Sequence, residues 1–464
     1  MNKFYITTAI DYTNDVIHIG HAYQKILSDA LARYHRLIGD KTYFLTGTDE
    51  HGQKVEKAAK AEGIEPKAFT DRIAAADQAE WDTLNISYDR FIRTTDEDHK
   101  KFVQEFWLKV KSAGDIYPEK YEGLYCESCE SYLDESELIN GKCPFHPTKE
   151  PQKIQEENYF FRLSKYQEFL EKYIEENKDF VIPENKRKEI LTFVKSGLKD
   201  FSISRQNVKW GIPVPDDPKH TIYVWFDALL NYLTYGVEKN CWPADVHVLG
   251  KDNLRFHSVY WPAMLKSAGY ELPKTVFVHD FISLNGQKIS KSLGNIIRPK
   301  ELVDQFGIDG VRYFFLRFGP LASDIDISFD RIKEVYNSDL ANGLGNLVAR
   351  VSKLCQNSKL EFVAPEITIE NFPEYNKLLE NFQVNTALDF VWEIISQADK
   401  YIENHRPWEL SGNDLKEVLT KLVEEIRKIS LLLNPFLPET AKKIEQQFKG
   451  PKVKSELSLF PRLS

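Results

Sequence analysis

No run of apolar residues in this 464-residue chain approaches the ~20 that a membrane-crossing helix needs, so no membrane span is expected. The N-terminus enters a strand-like run at once, without a basic-then-apolar leader, which points to the cytoplasm. Cysteine is sparse: three of the five fall within eighteen positions, unlike a secreted disulfide framework. A positive surplus is missing too, since Lys+Arg 61 stand against Asp+Glu 70 for a formal net charge of −9. Proteins that coat nucleic acid non-specifically are basic, so any RNA contact must come from a local patch. Neither a strand-to-helix Gly-x-Gly-x-x-Gly fingerprint nor a Walker lysine motif occurs. Gly343-Leu344-Gly345 does not qualify, because the third position is Val348 and no strand precedes it. There is no internal repeat and no low-complexity tract. What remains, 42% hydrophobic and 28% charged residues, is the composition of a soluble globular protein with two or three domains.

One short stretch organises the rest. Val16-Ile17-His18-Ile19-Gly20-His21 lies between an aromatic, β-branched run (Lys3 to Thr8) and a run in which Ile26, Leu27, Ala30, Leu31, Tyr34, Leu37 and Ile38 recur at helical spacing. This reads as a strand-to-helix turn, where free N–H groups and the helix dipole favour an anion. His18 and His21, three apart, share a face of the first turn, and Gly20 leaves space for a flat ring near the backbone. Taken alone, His-x-x-His fits two buried histidines or half a metal site as well as a phosphate site.

The organisation follows from changes of period. Residues 1–116 alternate strand and helix, with Asp49 and His51 at the C-terminal end of the apolar run Thr42 to Gly47, where ligands of open α/β sheets bind; both are expected near His18 and His21. Residues 117–210 break the alternation. Within them Cys126-x2-Cys129-x13-Cys143-x2-His146 has the spacing of a four-ligand Zn2+ site, closed and therefore structural; one disulfide with spare residues is the alternative. Cys241 and Cys355 read as small buried apolar residues. After a turn-rich linker (Gly211 to Pro218), residues 211–334 resume the alternation, with strands at Val246–Leu249 and Thr275–Val278 and a helix from Arg255 to Ala268. From 335 to 464 three apolar stripes, starting at Leu340, Ala387 and Leu415, predict an all-α bundle as a separate domain. The expected class is thus α/β: a Rossmann-like parallel sheet split by a zinc-binding insert and followed by a helical bundle. With no β-barrel-like stretch after the bundle, a monomer is expected.

A second motif, Lys288-Ile289-Ser290-Lys291-Ser292, stands between Asn285-Gly286 and Gly294-Asn295; alone it is also readable as a solvated basic turn. The two motifs together resemble the signatures of class I aminoacyl-tRNA synthetases, and the surrounding residues resemble the methionyl-tRNA synthetase family over nearly the whole chain. That resemblance implies activation of methionine by ATP, with Mg2+, and transfer of the acyl group to the terminal adenosine of tRNA(Met). The amino-acid carboxylate is already ionised, so its attack on the α-phosphorus needs positioning and charge neutralisation rather than a general base. His18 and His21 would then hold phosphate oxygens, with adenine packed at Gly20. Lys288 and Lys291 would take the charge of departing pyrophosphate, Ser290 and Ser292 would add donors, and the glycines would make the loop mobile.

The resemblance also assigns residues. It implies a methionine pocket of Ile10, Tyr12, Asp49 (for the amino group), Trp225, Ala228, Leu229, Tyr232 and His257, with Gly250 and Asp252 on the ATP ribose. It implies anticodon contacts from Asn346 and Arg350, which face outward together off the first bundle stripe, and from Trp408 as a stacking face. The chain departs from the family's usual residues at Asp11 (apolar, aromatic or Pro elsewhere), Leu229 (often Pro) and Asn253 (usually aliphatic). Competing readings are another class I synthetase, a small nucleotidyltransferase with the same histidine turn, and an inactive tRNA-binding paralogue.

Overall fold

The structure, a computed structural model, describes residues 2–126, 131–133, 135, 138–144, 150–289, 295–321, 323–363 and 367–464. The first half runs β1 (Lys3–Thr8), β2 (Asp11–Tyr12), α1 (Ile19–Leu37), β3 (Lys41–Asp49), α2 (Gln53–Glu62), α3 (Pro66–Thr83), β4 (Arg90–Arg93) and α4 (Glu97–Ser112). Tyr5, Ile6, Thr7 and Thr8 are buried on both faces of β1, as a parallel strand covered by helices requires.

An arm follows. β5 (Ile116–Cys126) and β7 (Gln152–Phe161) form a long antiparallel pair, flanked by β6 (Ser131–Leu133) and later by β9 (Phe201–Ser202). Between these lie α5 (Gln167–Glu176), β8 (Val181–Ile182) and α6 (Glu184–Lys195). Next come β10 (Ser204–Arg205), β11 (Pro213–Val214) and β12 (Asp217–Ile222), a small sheet of its own. Two findings differ from expectation here. The stretch read as a linker is a hairpin of β11 and β12, and β8, inside the expected insert, pairs with the main sheet.

The second half contains α7 (Val224–Ala228), α8 (Asn231–Glu238), β13 (Val246–Gly250), a π-helical turn at Phe256–Tyr260, α9 (Trp261–Ser267) and β14 (Thr275–His279). It continues through β15 (Ile282–Leu284), β16 (Gln287–Lys288), α10 (Pro299–Phe306), α11 (Ile308–Phe318), β17 (Ile325–Ile327) and α12 (Phe329–Val335). The main sheet has the order β2-β3-β1-β13-β14-β8 with β4 on β3, and all its pairings are parallel. The chain leaves β1 towards β3 on one side and returns as β13 on the other. That makes the crevice beyond the C-termini of β1 and β13 the topological switch point, where ligands of such sheets bind.

The C-terminal part is helical: a π-helical segment Tyr336–Gly345, α13 (Asn346–Ser358), α14 (Pro373–Glu380), α15 (Val384–His405), α16 (Gly412–Leu433) and α17 (Pro438–Phe448). Its stripes are those read from the sequence, but they do not close a core of their own. One continuous cluster of buried apolar side chains runs from Phe4 and Ile26 through Val311 and Leu340 to Leu419 and Phe448. Periodicity locates an apolar face without saying which neighbour covers it. No helix among the described residues is long and apolar enough to cross a membrane.

Candidate active site

The histidine turn is built by helix capping. His18 is the N-cap of α1, with extended backbone, and its Nδ1 accepts from the Gly20 N–H at 3.0 Å. His21 Nδ1 accepts in turn from the His18 N–H at 3.2 Å, a reciprocal box made by two imidazoles. An Nδ1 that accepts from a backbone N–H carries no proton, so in each neutral ring the proton sits on Nε2. Burial, with Lys25 adding to it, pushes His21 down to about 4 and keeps it neutral at pH 7. The ring centroids lie 4.2 Å apart. The turn thus offers fixed Nε2–H donors beside a helix N-terminus. Gly20 is explained differently from the sequence reading: a Cβ there would lie 2.7 Å from His18 Cε1, so the ring it accommodates is this imidazole. The turn is held by Ile17 N–H to Asp77 Oδ1 at 3.0 Å and by Ile19 N–H to the Ile297 carbonyl at 2.9 Å.

On one flank, Tyr12 is in register with Asp49 where β2 meets β3. Across the crevice the Tyr232 hydroxyl donates to His257 Nε2 at 2.8 Å, while His257 Nδ1–H donates to the Asn253 carbonyl at 3.0 Å. Burial pushes His257 down to about 4. Burial also pushes the Tyr232 phenol up, and the carboxylates of Asp49 and Asp11 push the same way. Trp225 stacks on Phe256 at 3.7 Å, beside His257 in the chain, and Ala228 and Leu229 are buried at the end of α7. The structure therefore brings Tyr232 and His257 into direct contact and joins the segments that carry Tyr12 and Asp49. His51 has a different place: its Nδ1 lies 2.6 Å from Asp227, whose other oxygen is 2.8 Å from His99 Nε2, in a buried relay that braces the loop after β3. Glu50, bonded by Arg93, Thr48 and Thr95, does the same from the other side.

On the other flank, β13 ends at Gly250, where a Cβ would lie 2.8 Å from Asp252 Oδ1; the missing side chain lets that carboxylate fold back. His279, at the end of β14, escaped the sequence reading although the strand-end rule that found Asp49 applies to it equally. Its Nδ1–H donates to the Asp280 carbonyl at 2.7 Å, and its buried Nε2 has no hydrogen-bond partner among the described residues. Burial pushes it to about 4, which leaves Nε2 an acceptor.

The lysine motif lies only in part within the described residues. Lys288 pairs with Ser283 in the β15–β16 hairpin, whereas Ser290, Lys291, Ser292 and Gly294 are outside. Asn285 (φ 50) and Gly286 (φ 75) form the two-residue turn of this hairpin, and Asp326 Oδ1 accepts from the Gly286 N–H at 2.7 Å. Among the zinc candidates, Cys126 and Cys143 are buried, while Cys129 and His146 lie outside the described residues, so the set of four is not assembled here. Cys241 and Cys355 are buried.

On the bundle, Asn346 and Arg350 are on the outer face of α13 and Trp408 is 53% exposed. Arg350 Nη2 is 2.7 Å from Glu403. Asn346 borders a groove of about 380 Å³ with Asn342, Ser458, Phe460 and Arg462, the last three from the segment that follows α17.

Three comparisons agree with this geometry. The family described as tRNA synthetases class I (M) matches residues 4–155 and 146–352. The methionine–tRNA ligase of Caldanaerobacter subterraneus subsp. tengcongensis is 43% identical over 99% of this chain and 79% of its own length. That of Thermotoga maritima is 45% identical over 95% and 74%. Mycobacterium tuberculosis methionyl-tRNA synthetase bound by methionyl-adenylate superposes with a TM-score of 0.92 at 38% identity, covering 99% of this chain and 100% of that one. Its free-state crystal structure gives 0.85 at 34% identity, covering 100% and 99%. With the histidine turn at the switch point of a parallel sheet and this likeness over nearly its full length, the chain belongs to the methionyl-tRNA synthetase family of the class I tRNA synthetases.

Proposed function

We infer that the chain condenses methionine with ATP to methionyl-adenylate and passes the methionyl group to the 3'-terminal adenosine of tRNA(Met). The observation that carries the reading is the capping turn, in which backbone N–H groups engage Nδ1 of both imidazoles and leave the proton of each neutral ring on Nε2, at a helix N-terminus. Such donors suit the α-phosphate as charge grows on it, and the neutral His21 ring donates without holding product through a full charge. His18 and His21 serve that role, with Gly20 setting the His18 rotamer. Lys288 and Lys291, with Ser290 and Ser292, take the departing pyrophosphate, which leaves as its Mg2+ complex. Gly250 and Asp252 hold the ribose. Methionine lies against Ile10, Tyr12, Trp225, Ala228, Leu229, Tyr232 and His257 with its ammonium on Asp49; aromatic faces suit a thioether. Asn346, Arg350 and Trp408 read the anticodon.

The test is methionine-dependent exchange of labelled pyrophosphate into ATP, with other amino acids and Lys291→Ala as controls. Exchange with methionine alone, lost in the control, is the expected result. Exchange with another amino acid would discard the pocket assignment. Absence of exchange from folded protein would favour the RNA-binding paralogue.

We also propose that Cys126, Cys129, Cys143 and His146 hold one structural Zn2+. Cys126 and Cys143 are both buried in this arm, a setting that suits a soft dication better than solvent. Metal analysis should give about one zinc per chain, and Cys143→Ser should lose it. Zinc-free wild-type protein with all four side chains intact would refute the site.

A further inference from the structure

Lys25 lies one turn beyond His21 on α1 and is wholly buried. Its ammonium is 3.0 Å from Asp11 Oδ1 and 2.9 Å from Oδ2, donates to the Ala9 carbonyl at 2.9 Å, and sits over the Trp81 ring at 5.4 Å. Gln24 donates to the same carbonyl at 2.8 Å. Asp77 on α3 stands close enough to bear on the charge of both partners. One of its oxygens takes the Ile17 N–H at 3.0 Å, and the other has no hydrogen-bond partner among the described residues. The segment that carries Ile10 and Tyr12 and leads into His18 is therefore gripped from below at Ala9, Asp11 and Ile17.

Stability does not account for this cluster. Taking an ammonium and two carboxyl groups out of water is costly, and exchanging a buried ion pair for apolar residues of similar volume is often neutral or stabilising. Directional bonds do what apolar packing does not: they fix a backbone carbonyl and a strand edge to one point on a helix.

We propose that Lys25 is a positioning residue for amino-acid activation, tying the Ala9–Tyr12 turn through Asp11 and the Ala9 carbonyl to the first turns of α1 so that the methionine-lining side chains keep register with His18 and His21. This rests on the activation reading above. Lys25 touches no substrate; it acts through the backbone it holds.

Lys25→Met, Lys25→Gln and the double variant Lys25→Met/Asp11→Leu test it in the full chain. Lys25→Met should raise the KM for methionine at least tenfold with the KM for ATP within about threefold of wild type. Lys25→Gln, which retains a donor to Ala9, should recover most of that loss. The double variant removes the stranded carboxylate and should regain thermal stability yet keep the raised methionine KM. A wild-type methionine KM in the double variant, or a lowered melting temperature with unchanged KM in Lys25→Met, would overturn the proposal. Hydrogen exchange gives a readout independent of activity: amides 10–13 should exchange at least tenfold faster in Lys25→Met while α15 and α16 stay unchanged. If wild-type protein showed no methionine-dependent exchange of pyrophosphate, the activation reading would fall. Unaltered protection at amides 10–13 would then still refute the positioning role.

Discussion

Gly20 and Gly250 each leave space for a side chain two positions away, His18 in one case and Asp252 in the other. Alanine at position 20 would improve helix propensity by up to ~1 kcal/mol while driving the His18 ring from its cap. Gly20→Ala should therefore melt at or above the wild-type temperature yet exchange pyrophosphate at least tenfold more slowly, two signs readable on one preparation. His18→Ala, which removes the donor itself, should lower kcat by ~10²–10³-fold with little change in the KM for methionine. Both motif histidines were legible from spacing, and so was the need for a glycine between them. The identity of the ring that the glycine admits was not, because it depends on a rotamer that the capping box selects. Lys25 and Asp77 were invisible for a related reason: a lysine within a helical stripe reads as a solvated neighbour until its depth is known. Proton NMR of the imidazole C–H resonances should find His21 without a titration step between pH 5 and 8, since burial holds it near 4.

Elements were more legible than their joints. Of the main-sheet strands, β1, β3, β13 and β14 were readable as apolar runs ending at the same edge, and the bundle helices as stripes; β2, which carries Tyr12, is too short to show as a run. The β15–β16 hairpin shows the limit. Asn-Gly was legible in the sequence, but not the two-residue turn that both residues make at positive φ. Gly286→Val, with its φ of 75 ill suited to a branched side chain, should cost roughly 1–2 kcal/mol of stability and lower exchange, because Lys288 loses its hairpin frame. The π-helical segment Tyr336–Gly345 had no signature at all beyond Gly343-Leu344-Gly345, which had seemed a failed nucleotide motif. Its physical basis is local: a Cβ on Gly345 would lie 2.9 Å from the Leu340 carbonyl. A π turn already holds one residue more than an α turn, so a further alanine inserted after Gly345 has no bulge left to absorb it and should rotate α13 by about 100°. Charging of tRNA should then fail while methionine activation stays within about twofold, as separate assays of the two steps would reveal.

At the scale of the molecule, Arg312 stands at the junction of sheet and bundle. Wholly buried on α11, it is 2.6 Å from Asp29 of α1 and donates to the carbonyls of Phe436 and Pro435 between α16 and α17. Asp309 on the same helix takes the Thr440 N–H at 2.6 Å. Arg312→Met would strand part of this network and should cost ~3–5 kcal/mol, seen as a lower denaturant midpoint. Acid should weaken the whole fold as well. His21, His257 and His279 are held near 4 when folded and return to about 6.5 when unfolded, so the unfolded chain binds more protons between those values and stability falls as pH drops through them. Asp77, pushed up to about 8 by burial and by Asp11, works in the opposite sense over that window, as do Asp11, Asp309 and Asp399, which burial raises; His247 and His35, lowered by burial, reinforce the other imidazoles. The melting temperature should decline from pH 6.5 to 4.5.

The unbroken core across that junction has a mechanical meaning. A packed joint makes the molecule a caliper, whose one jaw is the histidine turn and whose other is the outer face of α13 proposed to meet the anticodon. The spacing of such jaws is set at folding, before any RNA arrives. On the anticodon role proposed for that face, a tRNA held there has to supply from its own bending whatever reach its acceptor end lacks.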